Sequence, residues 1–264
     1  MTLLADIDFD PDVYDFPTEP LNEILELVRA DERTQALIEA QNVNPVVRLR
    51  YNDHGIDHVE MVLSRAIDLY ALLKRGGVPF NGAADHDLDE SVEPVIVALG
   101  AIFHDVGHVV HRDRHSYYSV DIARDRLTDI LESVYGAGPA TKITGEVLHA
   151  IVCHHREESP LTREAGVVRV ADALDMERGR SRVPYEEGGR GINTVSSRAI
   201  KSVSLHPGDE RPVHIEIEMT SAAGIYQVDE LLNSKVKSSR LEDHIRVIAI
   251  RGEEEDRIFE RFEL

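Results

Sequence analysis

The stretch at residues 94–105, PVIVALGAIFHD, constrains the fold more than any other part of this sequence. Val95, Ile96, Val97, Ala98, Leu99, Ile102 and Phe103 run almost all round a helical wheel, and a helix apolar on every side belongs in an interior. Pro94 suits its first turn. The helix must therefore be wrapped by others, and it delivers His104 and Asp105 to the inside. Burying an unpaired carboxylate is expensive, and a bound cation is the usual compensation. The continuation to residue 115, VGHVVHRDRH, adds His108, His111 and His115. A lone His-Asp pair is a weak signal, better explained by a backbone carbonyl and a salt bridge, so the case rests on further ligands elsewhere.

Those ligands lie on the helices expected to do the wrapping. Residues 21–41 read as one or two helices with a break near Asp31, and Pro45 resets the chain, because the residue before proline avoids the helical region. His58 begins a helical run with Val59, Val62, Leu63, Ala66, Leu69 and Leu73 on its core face. His54 precedes it by four, so a helical turn there points both imidazoles the same way. Gly76-Gly77 ends the run, and residues 78–90 form an acidic loop in which His86 is solvated. Val120, Ala123, Leu127, Ile130, Leu131 and Val134 mark a helix beginning near His115 and ended by Gly136-Ala137-Gly138-Pro139. In the next helix Ala140, Ile143, Val147, Ala150 and Ile151 put His154 on the buried face, with His149 off it and His155 at the flank. Residues 162–177 make a further helix carrying Asp172 and Asp175, of which Asp175 reads as the bystander.

From Ala199 the pattern changes to period two: Val213, Ile215, Ile217 and Met219 alternate with His214, Glu216 and Glu218, as in a strand. A helix around 228–236 and strands with Val247, Ile250, Ile258 and Phe262 complete a small α+β unit. His206, His214 and His244 read as surface residues. The expected division is an acidic, loose N-terminal arm at 1–19, a helical metal-binding domain at 20–184, a linker at 185–198 and an α+β domain at 199–264.

The chain has 264 residues and a formal charge of −20. That charge argues against a basic face for duplex nucleic acid, and acidic residues spread along the chain suit a salt-rich, halophile-like cytoplasm. No apolar run is expected to span a bilayer and no basic-then-apolar leader is read at the start, so the expectation is a cytoplasmic protein without a membrane partner. Cys153 is the only cysteine, which leaves nitrogen and oxygen to hold any metal. Self-association into a homo-oligomer is left open.

Taken in order, His58, His104, Asp105, His115, His154 and Asp172 can hold two divalent ions with Asp105 between them. This order resembles the HD-domain superfamily of metal-dependent phosphohydrolases, whose pattern is H…HD…D, extended to H…HD…H…H…D in dinuclear members. The resemblance covers residues 51–184. It implies that His58, His104, Asp105 and Asp172 bind a first metal and that His115 and His154 complete a second, with His108 or His111 as substitutes for His115. HDVGH is similar to the superfamily's HD-x-G stretch, and His54 resembles the histidine that protonates the leaving oxygen in cyclic-nucleotide phosphodiesterases. The GYP triplet of the cyclic-dinucleotide branch is absent after His155.

The expected function is hydrolysis of a phosphate ester of a nucleotide or related small molecule, with one or two ions of Mn, Fe, Co, Ni, Zn or Mg. His54, His108 and Asp105 serve the chemistry, and Arg178, Arg180, Arg182 and Arg156 grip phosphate oxygens. A di-iron oxygenase and a non-catalytic nucleotide sensor are the competing readings of the same residues.

Overall fold

The computed structural model describes residues 3–5, 7–176, 196, 198–251 and 261–263. Helices α1 (Glu19–Ala30) and α2 (Glu32–Gln41) are separated at Asp31, whose carboxylate accepts from the backbone N–H of Arg33 and Thr34 and so caps α2. The break expected near Asp31 is thus an N-cap. Helix α3 (Ile56–Arg75) ends at Gly76, as its glycine pair predicts.

Helix α4 (Val92–Phe103) is buried at every residue. It packs against α3, α6 (Ala137–Cys153) and α7 (Arg163–Leu174), while α5 (His115–Tyr135) lies along α6. All-round apolarity thus has its expected outcome, a central helix enclosed by amphipathic ones. The 18 residues Val92–Val109 reach the length and composition of a membrane span, against the expectation that no run does; 94% of them are buried in the fold.

Four local expectations need correction. The N-terminal arm is not loose where it is described. Leu3, Leu4 and Phe9 are buried, Arg29 holds the carbonyls of Leu4 and Ile7, and Glu60 accepts from the Leu4 N–H. Each buried leucine contributes roughly 1.5–3 kcal/mol, enough to seat a segment that has no periodicity of its own. Pro45 does not reset the chain, because it sits inside a π-helical turn, Val43–Arg48. His86 is not simply solvated: its Nε2 pairs with Glu146 at 2.8 Å. Finally, Gly136 alone separates α5 from α6, and Gly138 and Pro139 lie in the first turn of α6.

The C-terminal segment forms a sheet in the order β1 (Ile200–Pro207), β2 (Val213–Met219), β3 (Ile245–Arg251), β4 (Arg261–Glu263). The outer pairs are antiparallel and β2–β3 is parallel, with Ile215 opposite Leu205 and Val247. A parallel pair needs a long crossover. Here it contains a π-helical stretch, Gln227–Asn233, that runs into α8 (Ser234–Lys237). The fold is therefore mainly α with a small α+β extension. One apolar cluster runs from Leu3 through α4 to Ala249, so helices and sheet share a core. Of the linker expected at 185–198 only Ser196 and Arg198 are described, and Ile258 lies outside the described residues.

Candidate metal centre

Asp105 follows the C-cap of α4, is 2% exposed, and sits among six imidazoles of the described residues. Its two oxygens divide them. Oδ2 lies 2.6 Å from His54 Nδ1, 3.3 Å from His58 Nε2 and 3.2 Å from His104 Nε2. Oδ1 lies 3.6 Å from His108 Nε2, 3.2 Å from His115 Nε2 and 3.5 Å from His154 Nε2. Asp172, near the end of α7, adds Oδ1 at 3.7 Å from His58 Nε2 and 3.8 Å from His104 Nε2.

Each element delivers its residue by a local device. His104 and His154 are the C-caps of α4 and α6, and each Nδ1 donates to the carbonyl three residues back, Ala101 at 2.7 Å and Ile151 at 2.6 Å. His115 opens α5, with Nδ1 donating to Arg112 O at 2.8 Å. His58, in the first turn of α3, donates through Nδ1 to Asp175 Oδ2 at 2.5 Å. Carbonyls and carboxylates only accept, so all four rings carry the proton on Nδ1 and turn an Nε2 lone pair inward.

Those lone pairs face one another closely. His58 and His104 approach Nε2 to Nε2 at 3.2 Å, and His115 and His154 at 3.1 Å. Two acceptors at such a distance repel unless a proton or a cation lies between them. The donor set of imidazole nitrogen and carboxylate oxygen suits first-row divalent ions. The residues therefore fit a divalent cation, and among the described residues three groups bring their ligand atoms within 4.8 Å of one another: His54, Asp105 and His108; His58, His104 and Asp105; and Asp105, His115 and His154.

Burial and charge act on the groups of the centre in opposite directions. Burial works against a charge on Asp105, but His104, His54 and His108 outweigh it and hold its carboxyl well below the usual range. Burial also pushes His154 down to about 3 and His108 down to about 2, so both are neutral. His115 differs: burial opposes its charge, yet the hydrogen bond to Asp105 prevails and raises it. A cation held at His115 Nε2 would have to displace that proton.

A shell of backbone contacts holds the turns that carry these groups. Gln41 donates to His54 O, and Asn42 Oδ1 accepts from His54 N–H. Asn44 donates to His108 O and Val109 O. Ser119 joins His104 O to the Gly107 N–H. A Cβ on Gly107 would lie 2.0 Å from His115 O, so only glycine lets the turn after Asp105 approach α5. Arg169 donates to the carbonyls of Cys153, His155 and Glu158, fixing the turn after His154.

His58, His104, Asp105, His115, His154 and Asp172 thus come together, with His54 and His108 beside them. His54 arrives differently from expectation: it precedes the helix, whose N-cap is Gly55. His115 reaches Asp105 despite the short spacing, whereas His111 is exposed and accepts from Asp113 N–H. His155 flanks the cluster, its ring 5.3 Å from that of His115. Arg156 is exposed on the following turn, and Arg178, Arg180 and Arg182 lie outside the described residues. Asp175 is no bystander, since it orients His58. Lys235, which sequence reasoning passed over, donates to Asp172 Oδ2.

Among known families, the HD domain matches residues 55–177. That span begins just ahead of His58 and ends just past Asp175. An uncharacterized protein of Methanocaldococcus jannaschii is 38% identical over 235 residues, covering 89% of this chain and 90% of that one. No solved structure matches. With the paired imidazoles and the central carboxylate in place, the chain belongs to the HD-domain family, within the superfamily of metal-dependent phosphohydrolases.

Proposed function

We propose that this chain hydrolyses a phosphate ester of a small molecule, a nucleotide or related monoester or diester, using two divalent cations. The observation that carries the reading is the division of Asp105 between two sets of inward-facing Nε2 lone pairs. His58, His104, Asp172 and Asp105 Oδ2 would hold one cation, and His115, His154 and Asp105 Oδ1 the other. Such ions polarise a phosphoryl oxygen and make hydroxide available near neutral pH. His54, tied to Asp105 through Nδ1 with its side chain 15% exposed, is the proton donor we assign to the leaving oxygen. His108 is buried and, among the described residues, neither ring nitrogen has a hydrogen-bond partner, so it remains neutral and available on the Oδ1 side. Exposed Arg156, with the arginines at 178, 180 and 182, is assigned to phosphate. A net charge of −20 disfavours duplex nucleic acid as substrate.

Elemental analysis of the purified chain and phosphate-ester turnover on bis(4-nitrophenyl) phosphate test this together. The wild type is expected to carry divalent metal and turn the ester over, and His104→Ala and Asp105→Ala to lose both. Full turnover in either variant, or a wild type that binds no divalent ion, would refute the reading.

A further inference from the structure

The C-terminal unit reaches into the metal centre. Lys235, on α8 in the β2–β3 crossover, donates through Nζ to Asp172 Oδ2, and the two side chains are only 19% and 13% exposed. The other oxygen of the same carboxylate, Oδ1, is the one that faces His58 and His104. Backbone packing fixes the approach. A Cβ on Gly166 of α7 would lie 2.0 Å from Ser239 O, so α7 accepts the segment after α8 only because residue 166 is glycine. Ser239 is itself held, donating to Val236 O and accepting from Leu241 N–H.

We infer that Lys235 is a positioning residue of the metal pocket: it occupies Oδ2, so that Asp172 offers Oδ1 alone to the imidazoles, and it sets cation affinity through that carboxylate. The inference rests on the metal reading above. Two opposed effects follow from the contact. Holding Asp172 in one rotamer favours a cation at Oδ1, while the charge of the ammonium opposes it. The freedom of one short side chain is a small term, whereas two cations sharing one partly buried carboxylate repel strongly. Charge wins. Lys235 therefore holds cation affinity down and keeps Asp172 from turning both oxygens into the pocket.

The full-length chain, stripped of metal, is titrated with Mn2+ while free Mn2+ is followed by its paramagnetic resonance signal. Lys235→Met is expected to bind Mn2+ roughly tenfold more tightly than wild type, a gain that mere loss of structure would not produce. Lys235→Arg, which keeps the charge and the donors, is expected to match wild type. In an Asp172→Asn background the gain from Lys235→Met should shrink, because the ammonium is then no longer held beside the pocket by that carboxylate. Wild-type affinity in Lys235→Met, weaker binding there, or an equal gain in both backgrounds overturns the inference. If Lys235→Met does not melt cooperatively, Lys235→Gln takes its place in the same comparison. A wild type that takes up no Mn2+ overturns the metal reading and this inference with it; a wild type that binds while Lys235→Met binds equally overturns this inference alone.

Discussion

Asp175 lies just past the last residue of α7, and its Oδ2 accepts the Nδ1 proton of His58 at 2.5 Å. That bond fixes the tautomer that leaves His58 Nε2 unprotonated, and partners of this kind typically alter metal affinity by 10- to 100-fold. Asp175→Ala is therefore expected to weaken Mn2+ binding by about that factor, roughly 10- to 100-fold. Asp175→Asn, whose amide oxygen still accepts, should lose less. A Mn2+ titration decides it, and unchanged affinity in the alanine variant would show that His58 is oriented by something else. Residues of the centre differed in how readable they were. His104 and His154 stand at the ends of apolar helices, so their burial followed from spacing, and His58 followed from the core face behind it. Asp175 and Lys235 carry no such mark. Their partners are 117 and 63 residues away in the chain, and no local pattern encodes a contact at that separation.

At the scale of elements, α7 joins the centre to the acidic loop at 78–90 through Glu164 in its first turn. Glu164 is fully buried and accepts from the backbone N–H of Asn81 and Gly82. Burial outweighs those bonds and raises its carboxyl to about 7. A carboxyl raised on folding favours the folded state while protonated, so its contribution is complete below the ordinary carboxylate value and is lost as pH rises through 7. Stability measured by urea unfolding should fall between about pH 5 and pH 8, with Glu164 responsible for up to about 3 kcal/mol. Glu164→Gln stays neutral and keeps an acceptor for the Gly82 N–H, so it should flatten that slope. An identical pH dependence in both proteins would remove Glu164 as its cause. Periodicity gave the helices well, because each has an apolar face to bury, but it could not give their joints. The π-helical turn around Pro45 and the single-residue hinge at Gly136 depend on neighbours: Asn44 donates to His108 O, and α5 and α6 lie side by side. The strands were legible from alternation, whereas the parallel β2–β3 pairing was not, because alternation specifies which side is buried and says nothing of direction.

For the whole molecule the question is whether the helical part and the sheet behave as one body. The change of period near Ala199 suggests two units, and chains of this length often unfold in more than one step. The packing points the other way. A single apolar cluster contains Leu3, the α4 residues and Val247, and α3 packs on β1 and β2. Gly166 admits the Ser239 carbonyl, and Lys235 pairs with Asp172. Melting the sheet alone would open one side of the shared core and leave Asp172 without its ammonium, so partial unfolding is costly. Far-UV circular dichroism, dominated here by helices, and hydrogen exchange at the amides of β1–β3 should therefore report one common midpoint in urea. Cations that bind only the folded chain stabilise it by mass action, about 2.7 kcal/mol at 100 times the dissociation constant. Saturating Mn2+ should move both probes together, because Asp172 joins the cation pocket to the crossover that leads into β3. A sheet that loses protection at lower urea than the helices, or that ignores Mn2+ while the helices respond, would show that the shared core does not couple them.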